Sequence, residues 1–155
     1  MQSAPLHAVA MPEALMDLHA RLAASARVHR TPCGAGHIVW HHWPALGADG
    51  APLADMLPAP AQPPVVLFHG GSGSWTHWLR NIAPLQAAGR EVWAVDLPGF
   101  GDSGHCGGDA DALVEPLAQS MTQLGLHGVD LVGFSFGGLT AGLLLAAHPA
   151  LARQL

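Results

Sequence analysis

The sequence predicts an α/β fold, in which a mostly parallel sheet is covered by helices on both faces. From residue 64 onward, short continuous apolar runs alternate with segments of helical periodicity. Strands that are apolar on both faces belong in a parallel sheet between two helical layers. The chain has 155 residues, of which 50% are hydrophobic, and this is enough for one folded domain with its own core.

The first predicted element is a helix that begins at Pro12. Proline suits the first turn of a helix, and Leu15, Leu18 and Leu22 then recur at helical spacing and form one apolar stripe. The stripe is narrow and lacks aromatic anchors and a basic polar face, so we interpret it as a packing face; binding of a partner or of a membrane surface is the alternative. The sequence thus predicts an N-terminal helical extension over residues 1–27.

A β-hairpin is predicted next, over residues 28–43. Residues 28–31 and 37–43 are rich in β-branched and aromatic side chains, and they flank a turn at 32–36 that contains two glycines. Residues 44–64 are rich in Pro, Gly and Ala and are interpreted as a loop insertion between strands of one sheet. An interdomain linker is the alternative, but the hairpin is too small to form a domain by itself.

Residues 65–155 are predicted to form the core of the same domain, which extends over residues 28–155. Residues 153–155 are expected to begin a sixth strand, so the chain would contain about five strands of a larger sheet and the helix after the fifth. The predicted strands are residues 65–68, 92–95 and 129–134, and the predicted helices are residues 76–88, 110–124 and 136–148.

Ser135 is the candidate nucleophile, because it lies at a predicted strand–helix junction in the Gly-Phe-Ser-Phe-Gly motif of residues 133–137. A serine on such a tight turn has its hydroxyl lifted clear of the sheet, and the glycines prevent clashes where backbone segments approach closely. The helix after Ser135 directs its first amides at the serine, so the Phe136 N–H can stabilise an oxyanion. The Gly71 N–H, in the loop after residues 65–68, is the best candidate for a second oxyanion donor.

Three motifs follow one another along the chain: His-Gly-Gly at 69–71, Asp-Leu-Pro-Gly-Phe-Gly-Asp-Ser at 96–103 and the serine motif at 133–137. With these motifs, residues 64–155 resemble the first half of the α/β-hydrolase superfamily, in the branch with a serine nucleophile and a His-Gly oxyanion loop. Residues 28–43 are compatible with the opening hairpin of that fold.

The resemblance implies that Ser135 is the nucleophile and that the Gly71 and Phe136 amides form the oxyanion hole. It implies a cofactor-independent reaction on an ester, thioester, amide or activated carbon–carbon bond of a small carbonyl substrate, through an acyl-Ser135 intermediate. An acyltransferase shares these residues and differs only in the acceptor, and a non-catalytic binding protein is the alternative from another class. In this family, the residues at the positions of His69 and Asp96 usually organise loops and do not belong to the triad.

Five further polar or aromatic side chains near these motifs have structural interpretations. Asp102 and Ser103 are expected to stabilise a turn, since short polar side chains bond to nearby backbone in such loops. Trp75, His77 and Trp78 follow the oxyanion loop and are interpreted as core residues, with a substrate pocket as the alternative.

The triad acid and base are not found after the nucleophile. In this fold the acid and then the histidine follow the serine along the chain, but only His148 follows Ser135, with no Asp or Glu. His148 falls near the end of the predicted helix, about 18 Å from Ser135 at the helical rise per residue, which is too far for a base. We therefore expect the chain to stop before the acid and the base, to be unstable or inactive alone, and to leave residues 129–134 as a bare sheet edge.

Composition excludes several classes of partner. The net charge is −5 and the six basic residues are all Arg, so no basic surface is available for nucleic acid or for an anionic membrane. The eleven histidines show no compact ligand spacing and are interpreted as surface and loop residues, so no metal site is expected. Cys33 and Cys106 are read as isolated thiols. Free thiols fit a reducing compartment, and the sequence shows no signal peptide and no apolar run of about 20 residues. Together these observations predict a cytoplasmic protein.

Overall fold

The computed structural model describes residues 12–53 and 62–155, which form one six-stranded sheet with helices on both faces. The elements are α1 (Glu13–Ser25), β1 (Arg27–Cys33), β2 (Gly36–Trp43), β3 (Val65–Phe68), α2 (Leu79–Ala87), β4 (Val92–Asp96), α3 (Val114–Gln123), β5 (Val129–Gly133), α4 (Phe136–Ala147) and β6 (Ala152–Gln154). The strand order is β1-β2-β4-β3-β5-β6. The hairpin strands β1 and β2 pair antiparallel, β2 pairs antiparallel with β4, and β3 to β6 pair parallel, so the predicted α/β fold is confirmed.

Two apolar layers hold the sheet between the helices. On one face, side chains of α3 and α4 pack against Trp40, Val66 and Phe68. On the other face, Leu22 of α1 and Ile82 of α2 pack against the strands. All four residues of β3 are buried, because this central strand is covered on both faces, as its continuous apolar run predicts.

Buried polar side chains tie the hairpin to the helices. Trp40 Nε1–H donates to Ser120 Oγ in α3 (2.7 Å), and Thr31 Oγ1 lies 2.5 Å from the same oxygen. On the other face, Trp43 Nε1–H donates to Leu22 O in α1 (3.0 Å). Each indole N–H therefore has an acceptor, which burial of a tryptophan requires.

Several boundaries differ from those predicted, most of them by one residue. The hairpin turn is shorter than residues 32–36, because Cys33 pairs with Gly36 and only two residues separate the strands. The predicted helices at 76–88 and 110–124 each begin with a short 3-10 segment, Trp75–Trp78 and Asp111–Leu113 respectively. Such tighter turns are common at the ends of α-helices, where the hydrophobic pattern does not distinguish them from α-helix.

The predicted extension and insertion are described in part. Residues 1–11 of the extension lie outside the described residues, and the rest of it contains α1. Residues 54–61 of the insertion also lie outside them. Within residues 44–53, Leu46 and Pro52 form an isolated bridge. None of the helices within residues 12–53 and 62–155 is long and apolar enough to cross a bilayer.

Cys33 and Cys106 form a disulfide, with their Cα atoms 5.6 Å apart, so the expectation of two isolated thiols was wrong. The Gly104 N–H donates to His37 O (2.8 Å) and brings the loop after β4 against the hairpin, a contact that the separation of 73 residues hides in the sequence. In the loop-closure model, cross-linking so long a segment stabilises the folded state by about 4 kcal/mol. The disulfide removes the cysteine-based argument for a reducing compartment, and a cytoplasmic location stays a prediction.

The strand β6 covers the first part of β5. Val129 pairs with Ala152 and Asp130 pairs with Gln154. The expectation that residues 129–134 would form a bare sheet edge was therefore wrong for the start of the strand. Val132 lies beyond the paired part and its side chain is 41% exposed, so the uncovered apolar edge is short.

Asp130 is buried at the start of β5 beside two arginines. Its carboxylate accepts hydrogen bonds from Arg153 Nε (2.6 Å) and Nη2 (3.0 Å) and from Arg90 Nη2 (2.5 Å). Arg90 also donates to Pro63 O (2.8 Å), which joins the segment before β3 to the same group. The hydrogen bonds from Arg153 and Arg90 hold the pKa of Asp130 below its ordinary value, against the effect of burial.

Replacing Asp130 with asparagine is expected to lower the free energy of unfolding by about 2 kcal/mol near neutral pH, because Arg90 keeps its charge in a mostly buried position. The pKa is lower in the folded than in the unfolded chain. The stabilisation is therefore complete above the ordinary carboxyl pKa of about 3.9 and is lost as the pH falls through the lowered value. Urea unfolding of both proteins, from about pH 7 to about pH 2, measures this difference.

The matched control is Asp17→Asn, which removes a carboxylate on the exposed side of α1. This variant is expected to unfold like the wild type across the range, because surface charges contribute little. If Asp130→Asn matched wild type near neutral pH, or kept its full deficit in acid, the ion pairs would not have the role assigned to them.

Candidate active site

Ser135 lies at the apex of the turn between β5 and α4, and it is exposed. Its backbone angles are φ 53° and ψ −117°, a combination that residues with a side chain rarely adopt. A strained backbone of this kind persists only where the surrounding structure imposes it. The strand ends at Gly133 and the helix begins at Phe136, so the chain reverses sharply at the serine.

Two glycines allow the backbone segments around Ser135 to approach each other. A Cβ at Gly133 would lie 2.6 Å from Gly137 O. A Cβ at Gly137 would overlap the carbonyl oxygens of Phe68 and His69 at the end of β3. Neither position accepts a side chain, so the Gly-x-Ser-x-Gly spacing of the sequence has a steric cause in the fold.

The loop at Gly70 and Gly71 lies against the residues that flank Ser135. A Cβ at Gly71 would be 3.8 Å from the Cβ of Phe136, and one at Gly70 would be 2.8 Å from the Phe134 ring. Within residues 12–53 and 62–155, the N–H groups of Gly71 and Phe136 donate no hydrogen bond. Two adjacent unpaired amides beside a serine are able to stabilise an oxyanion together.

His69 is fully buried at the end of β3 and connects two loops. Its Nε2 accepts a hydrogen bond from the Leu97 N–H (2.9 Å), and its Nδ1 donates to Gly70 O (2.7 Å). This pattern requires a neutral ring with its proton on Nδ1, and burial lowers the pKa of His69 accordingly. The side chain therefore organises loops, as expected from the sequence.

Asp96 has the same kind of role at the end of β4. Its Oδ1 accepts from the Trp75 N–H (2.8 Å) and its Oδ2 from the Asp102 N–H (3.0 Å). The Ser103 hydroxyl donates to Asp96 O (2.5 Å) and accepts from the Val39 N–H (2.8 Å). Ser103 thus stabilises the turn with its side chain as predicted, whereas Asp102 contributes its backbone N–H.

His41 lies beside these carboxylates. One of its ring nitrogens and one oxygen each of Asp96 and Asp102 lie within 4.8 Å of one another, the one such group of three among the described residues. His41 stacks on Trp75, with ring centroids 5.0 Å apart, and burial lowers its pKa although both carboxylates raise it. Since both Asp96 oxygens already accept backbone N–H groups, loop contacts account for the cluster, and the absence of a metal site stays a prediction.

The interpretation of the histidines as surface and loop residues was wrong for His41 and His42, which are buried within β2. His69 lies in a loop, as interpreted, but is buried there. His42 stacks on Trp93, with ring centroids 3.9 Å apart. Strand β2 lies between β1 and β4 and is covered on both faces, so its polar residues are buried with its apolar ones. The position of a strand within the sheet decides this burial and cannot be read from the local sequence.

The three residues after the oxyanion loop divide between the two predicted roles. Trp75 is buried in the core, as interpreted. Trp78 is partly buried and packs against the same core, as interpreted. Together with His77 and Phe134, it also lines a cavity of about 350 Å³ at the residue that precedes Ser135, which agrees with the pocket alternative. Phe136 faces a different cavity of about 320 Å³, which residues of the loop after β4 also line.

His148 lies just after the C-terminal end of α4, at the opposite end of the helix from Ser135. Its Nε2 is 2.7 Å from Glu115 Oε1 of α3. This position agrees with the expectation that His148 is too far from the serine to be its base.

The fold and the strand–helix turn at Ser135 define the class of protein. The family model described as alpha/beta hydrolase fold matches residues 63–155, which is more than half of the chain. The chain belongs to the α/β-hydrolase family.

The chain is similar to several characterised members of this family and to a solved structure. The 2-hydroxy-6-oxononadienedioate/2-hydroxy-6-oxononatrienedioate hydrolase 1 of Dechloromonas aromatica is 35% identical over 92 residues, covering 56% of this chain and 32% of that protein. The sn-1-specific diacylglycerol lipase ABHD11 of Mus musculus is 35% identical over 123 residues, covering 70% and 39%. A crystal structure of a membrane phospholipase A, a bacterial virulence factor, has a TM-score of 0.66 at 26% identity, covering 88% and 41%. The chain thus spans about a third to two fifths of these proteins.

Proposed function

We propose that this chain carries the nucleophile and the oxyanion hole of a serine hydrolase, with Ser135 as nucleophile and the Gly71 and Phe136 amides as oxyanion donors. The observation that carries the proposal is the positive φ of Ser135 between two glycines at which no Cβ fits. Strain of this kind, at a residue whose side chain is exposed and able to react, is characteristic of functional sites. The two unpaired amides beside the serine support the same assignment.

In the proposed reaction, Ser135 Oγ attacks the carbonyl carbon of the substrate while a histidine takes the hydroxyl proton. The carbonyl oxygen becomes an oxyanion and accepts hydrogen bonds from the Gly71 and Phe136 N–H groups. When the tetrahedral intermediate collapses, the leaving group departs with the proton from the histidine, and an acyl-Ser135 ester remains. Water attacks this ester, with the histidine as base again, and releases the acid and the free serine.

The histidine and the carboxylate that orients it are proposed to come from residues outside these 155. In α/β hydrolases both follow the serine along the chain, and the relatives described above are about twice as long as this chain. His148 is held at Glu115, at the other end of α4 from the nucleophile. The 155 residues alone are therefore proposed to be inactive.

A small, uncharged carbonyl compound is the proposed substrate. The cavity at Phe134, the residue before Ser135, is walled by Phe134 and Trp78, with His77 as its polar member, and its volume of about 350 Å³ suits a small molecule. One similar protein is named as a diacylglycerol lipase, and diacylglycerol is an uncharged ester. The proposed substrate class includes esters, thioesters, amides and compounds with an activated carbon–carbon bond. We propose that neither nucleic acid nor a membrane is a partner.

An acyltransferase is the second candidate function. It passes through the same acyl-Ser135 intermediate, and an alcohol or amine takes the place of water. One similar protein, from Sus scrofa, is named 1-acylglycerol-3-phosphate O-acyltransferase ABHD5 and is 36% identical over 93 residues, covering 56% of this chain and 26% of that protein. The two functions differ only in the acceptor that reaches the acyl group.

Rapid mixing of the whole protein with p-nitrophenyl acetate or butyrate tests the proposal. We expect a burst of p-nitrophenol equal to the enzyme concentration, followed by slower turnover, because p-nitrophenolate is a good leaving group and acylation is then faster than hydrolysis of the acyl-enzyme. Added alcohol distinguishes transfer from hydrolysis by the ratio of ester to acid product. The 155-residue chain, assayed in parallel, is expected to show neither phase. A folded whole protein without burst or turnover would favour a binding protein on this scaffold.

A further inference from the structure

His77 accepts a hydrogen bond from the backbone of the oxyanion loop. The Gly70 N–H donates to His77 Nδ1 at 3.2 Å. Because Nδ1 is the acceptor, the ring is neutral with its proton on Nε2. We infer that His77 is a positioning residue that, together with the hydrogen bonds to Gly70 O, fixes the orientation of the Gly71 N–H, an inference that rests on the proposed oxyanion role of that amide.

The peptide plane that contains the Gly71 N–H and the plane before it are each held by hydrogen bonds. The first plane contains the Gly70 N–H and is held by His77. The second contains Gly70 O, which accepts from His69 Nδ1 (2.7 Å) and from the Gly73 N–H (3.2 Å). In a trans peptide the C=O and the next N–H point in opposite directions, so fixing Gly70 O also directs the Gly71 N–H.

This anchoring is needed because two glycines form the loop. Glycine adopts many backbone conformations, and a free Gly70 could rotate both planes and turn the Gly71 N–H away from the Phe136 N–H. A Cβ at Gly70 would overlap the Phe134 ring, so a bulkier residue cannot supply the restraint at this position. His77 supplies the restraint at the Gly70 N–H, because this N–H donates its hydrogen bond to the His77 ring.

The His77 ring is itself held in place by the turn that carries it. The His77 N–H donates to Ser74 O (3.0 Å), and the Ser74 hydroxyl accepts from the Thr76 N–H (3.3 Å) at the start of the 3-10 segment. The ring lies over Gly73, where a Cβ would overlap it. Its edge-on contact with Phe134, with ring centroids 6.1 Å apart, brings it to the residue directly before the nucleophile.

A role in positioning differs from a role in folding, because His77 is exposed and lines the cavity. Its replacement removes little buried surface and is expected to leave the thermal midpoint of unfolding unchanged. The amide donates to the oxyanion and not to the ground-state carbonyl, so its misorientation raises the energy of the transition state. Because His77 also lines the cavity, KM is expected to shift in any variant of this residue. The loss of positioning should instead appear in kcat, and it should separate a variant that lacks the acceptor from one that keeps it.

The test compares His77→Phe with His77→Asn in the whole protein, with p-nitrophenyl butyrate as substrate. Phenylalanine keeps a ring but removes the acceptor, whereas the Asn Oδ1 can occupy the place of Nδ1 and accept from the Gly70 N–H. We expect His77→Phe to lower kcat about tenfold to hundredfold, below the full effect of deleting an oxyanion donor. His77→Asn is expected to recover most of that loss, and the thermal midpoint to stay near wild type in both variants.

The rate of fluorophosphonate labelling gives a second readout, because the phosphoryl oxygen of the adduct occupies the oxyanion hole. Ser135→Ala separates the two proposals. If Ser135→Ala is inactive and His77→Phe turns over and labels like wild type, the positioning role is wrong while the proposed function stands. Equal loss in His77→Phe and His77→Asn would also overturn it, as would a retained kcat with a raised KM. Turnover by Ser135→Ala would overturn both proposals.

Discussion

Replacing Ser135 with alanine is expected to lower kcat of the whole protein by about 10⁵-fold or more, because removal of the nucleophile ends covalent catalysis. Alanine keeps the small volume of the side chain, and the elbow does not depend on the hydroxyl for any hydrogen bond within the described residues. The free energy of unfolding is therefore expected to change little. Steady-state hydrolysis of p-nitrophenyl butyrate and urea unfolding measure the two quantities separately.

Ser25→Ala is the matched control for this change. Ser25 lies at the end of α1, where its hydroxyl donates to Leu22 O (3.2 Å), and this variant should hydrolyse the ester at the wild-type rate. If Ser135→Ala kept a kcat within about tenfold of wild type, a step through acyl-Ser135 would not account for catalysis.

Replacing Gly137 with alanine is expected to have the largest effect on stability, a loss of about 3 kcal/mol or more in the free energy of unfolding. The added Cβ would overlap the carbonyl oxygens of Phe68 and His69, which are backbone atoms at the end of β3. Since a buried strand cannot move away as a flexible side chain could, α4 must shift. The nucleophile turn and the oxyanion loop would shift with it, so activity should fall as well.

Gly142→Ala provides a control in the same helix. A Cβ at Gly142 meets nothing within 4 Å, and alanine is favoured over glycine in a helix interior by about 1 kcal/mol. Gly142→Ala is thus expected to stabilise the protein while Gly137→Ala destabilises it, as measured by urea unfolding. Equal shifts in the two variants, or a Gly137→Ala variant as stable as wild type, would show that close approach of α4 to β3 is not what requires Gly137.

The central strands and the helices between them could be predicted because local pattern and tertiary position agree there. The strand Val65–Phe68 has the bounds that its apolar run predicts, and β4 and β5 differ by one residue each. Continuous apolar runs have one place in an α/β fold, the interior of the sheet. The 3-10 segment at Trp75–Trp78 could not be predicted, since hydrogen bonds and not hydrophobicity distinguish it from α-helix.

Long-range contacts explain the features that the sequence did not reveal. The disulfide between Cys33 and Cys106 depends on the loop after β4 folding back to the hairpin, and no local spacing signals it. The burial of His41 and His42 depends on β2 lying inside the sheet. Both follow from the strand order, which places β2 beside β4.

The candidate site divides in the same way. The Gly-x-Ser-x-Gly motif predicts the turn at Ser135, because the motif itself encodes the close approach of two backbone segments. The bond from the Gly70 N–H to His77 was not predicted, although His77 was considered for the pocket. Seven residues separate the partners, and their contact depends on the 3-10 turn that carries the histidine.

Covalent labelling with a fluorophosphonate, followed by peptide mapping of the adduct, tests the central claim most directly. The reagent traps activated serines, so the whole protein should acquire one adduct, on the peptide that contains Ser135, and the Ser135→Ala variant should acquire none. The 155-residue chain alone should remain unlabelled, because the base that activates the serine is proposed to lie outside it. A folded whole protein that fails to label, or that labels on a different residue, would contradict the assignment of Ser135 as the nucleophile.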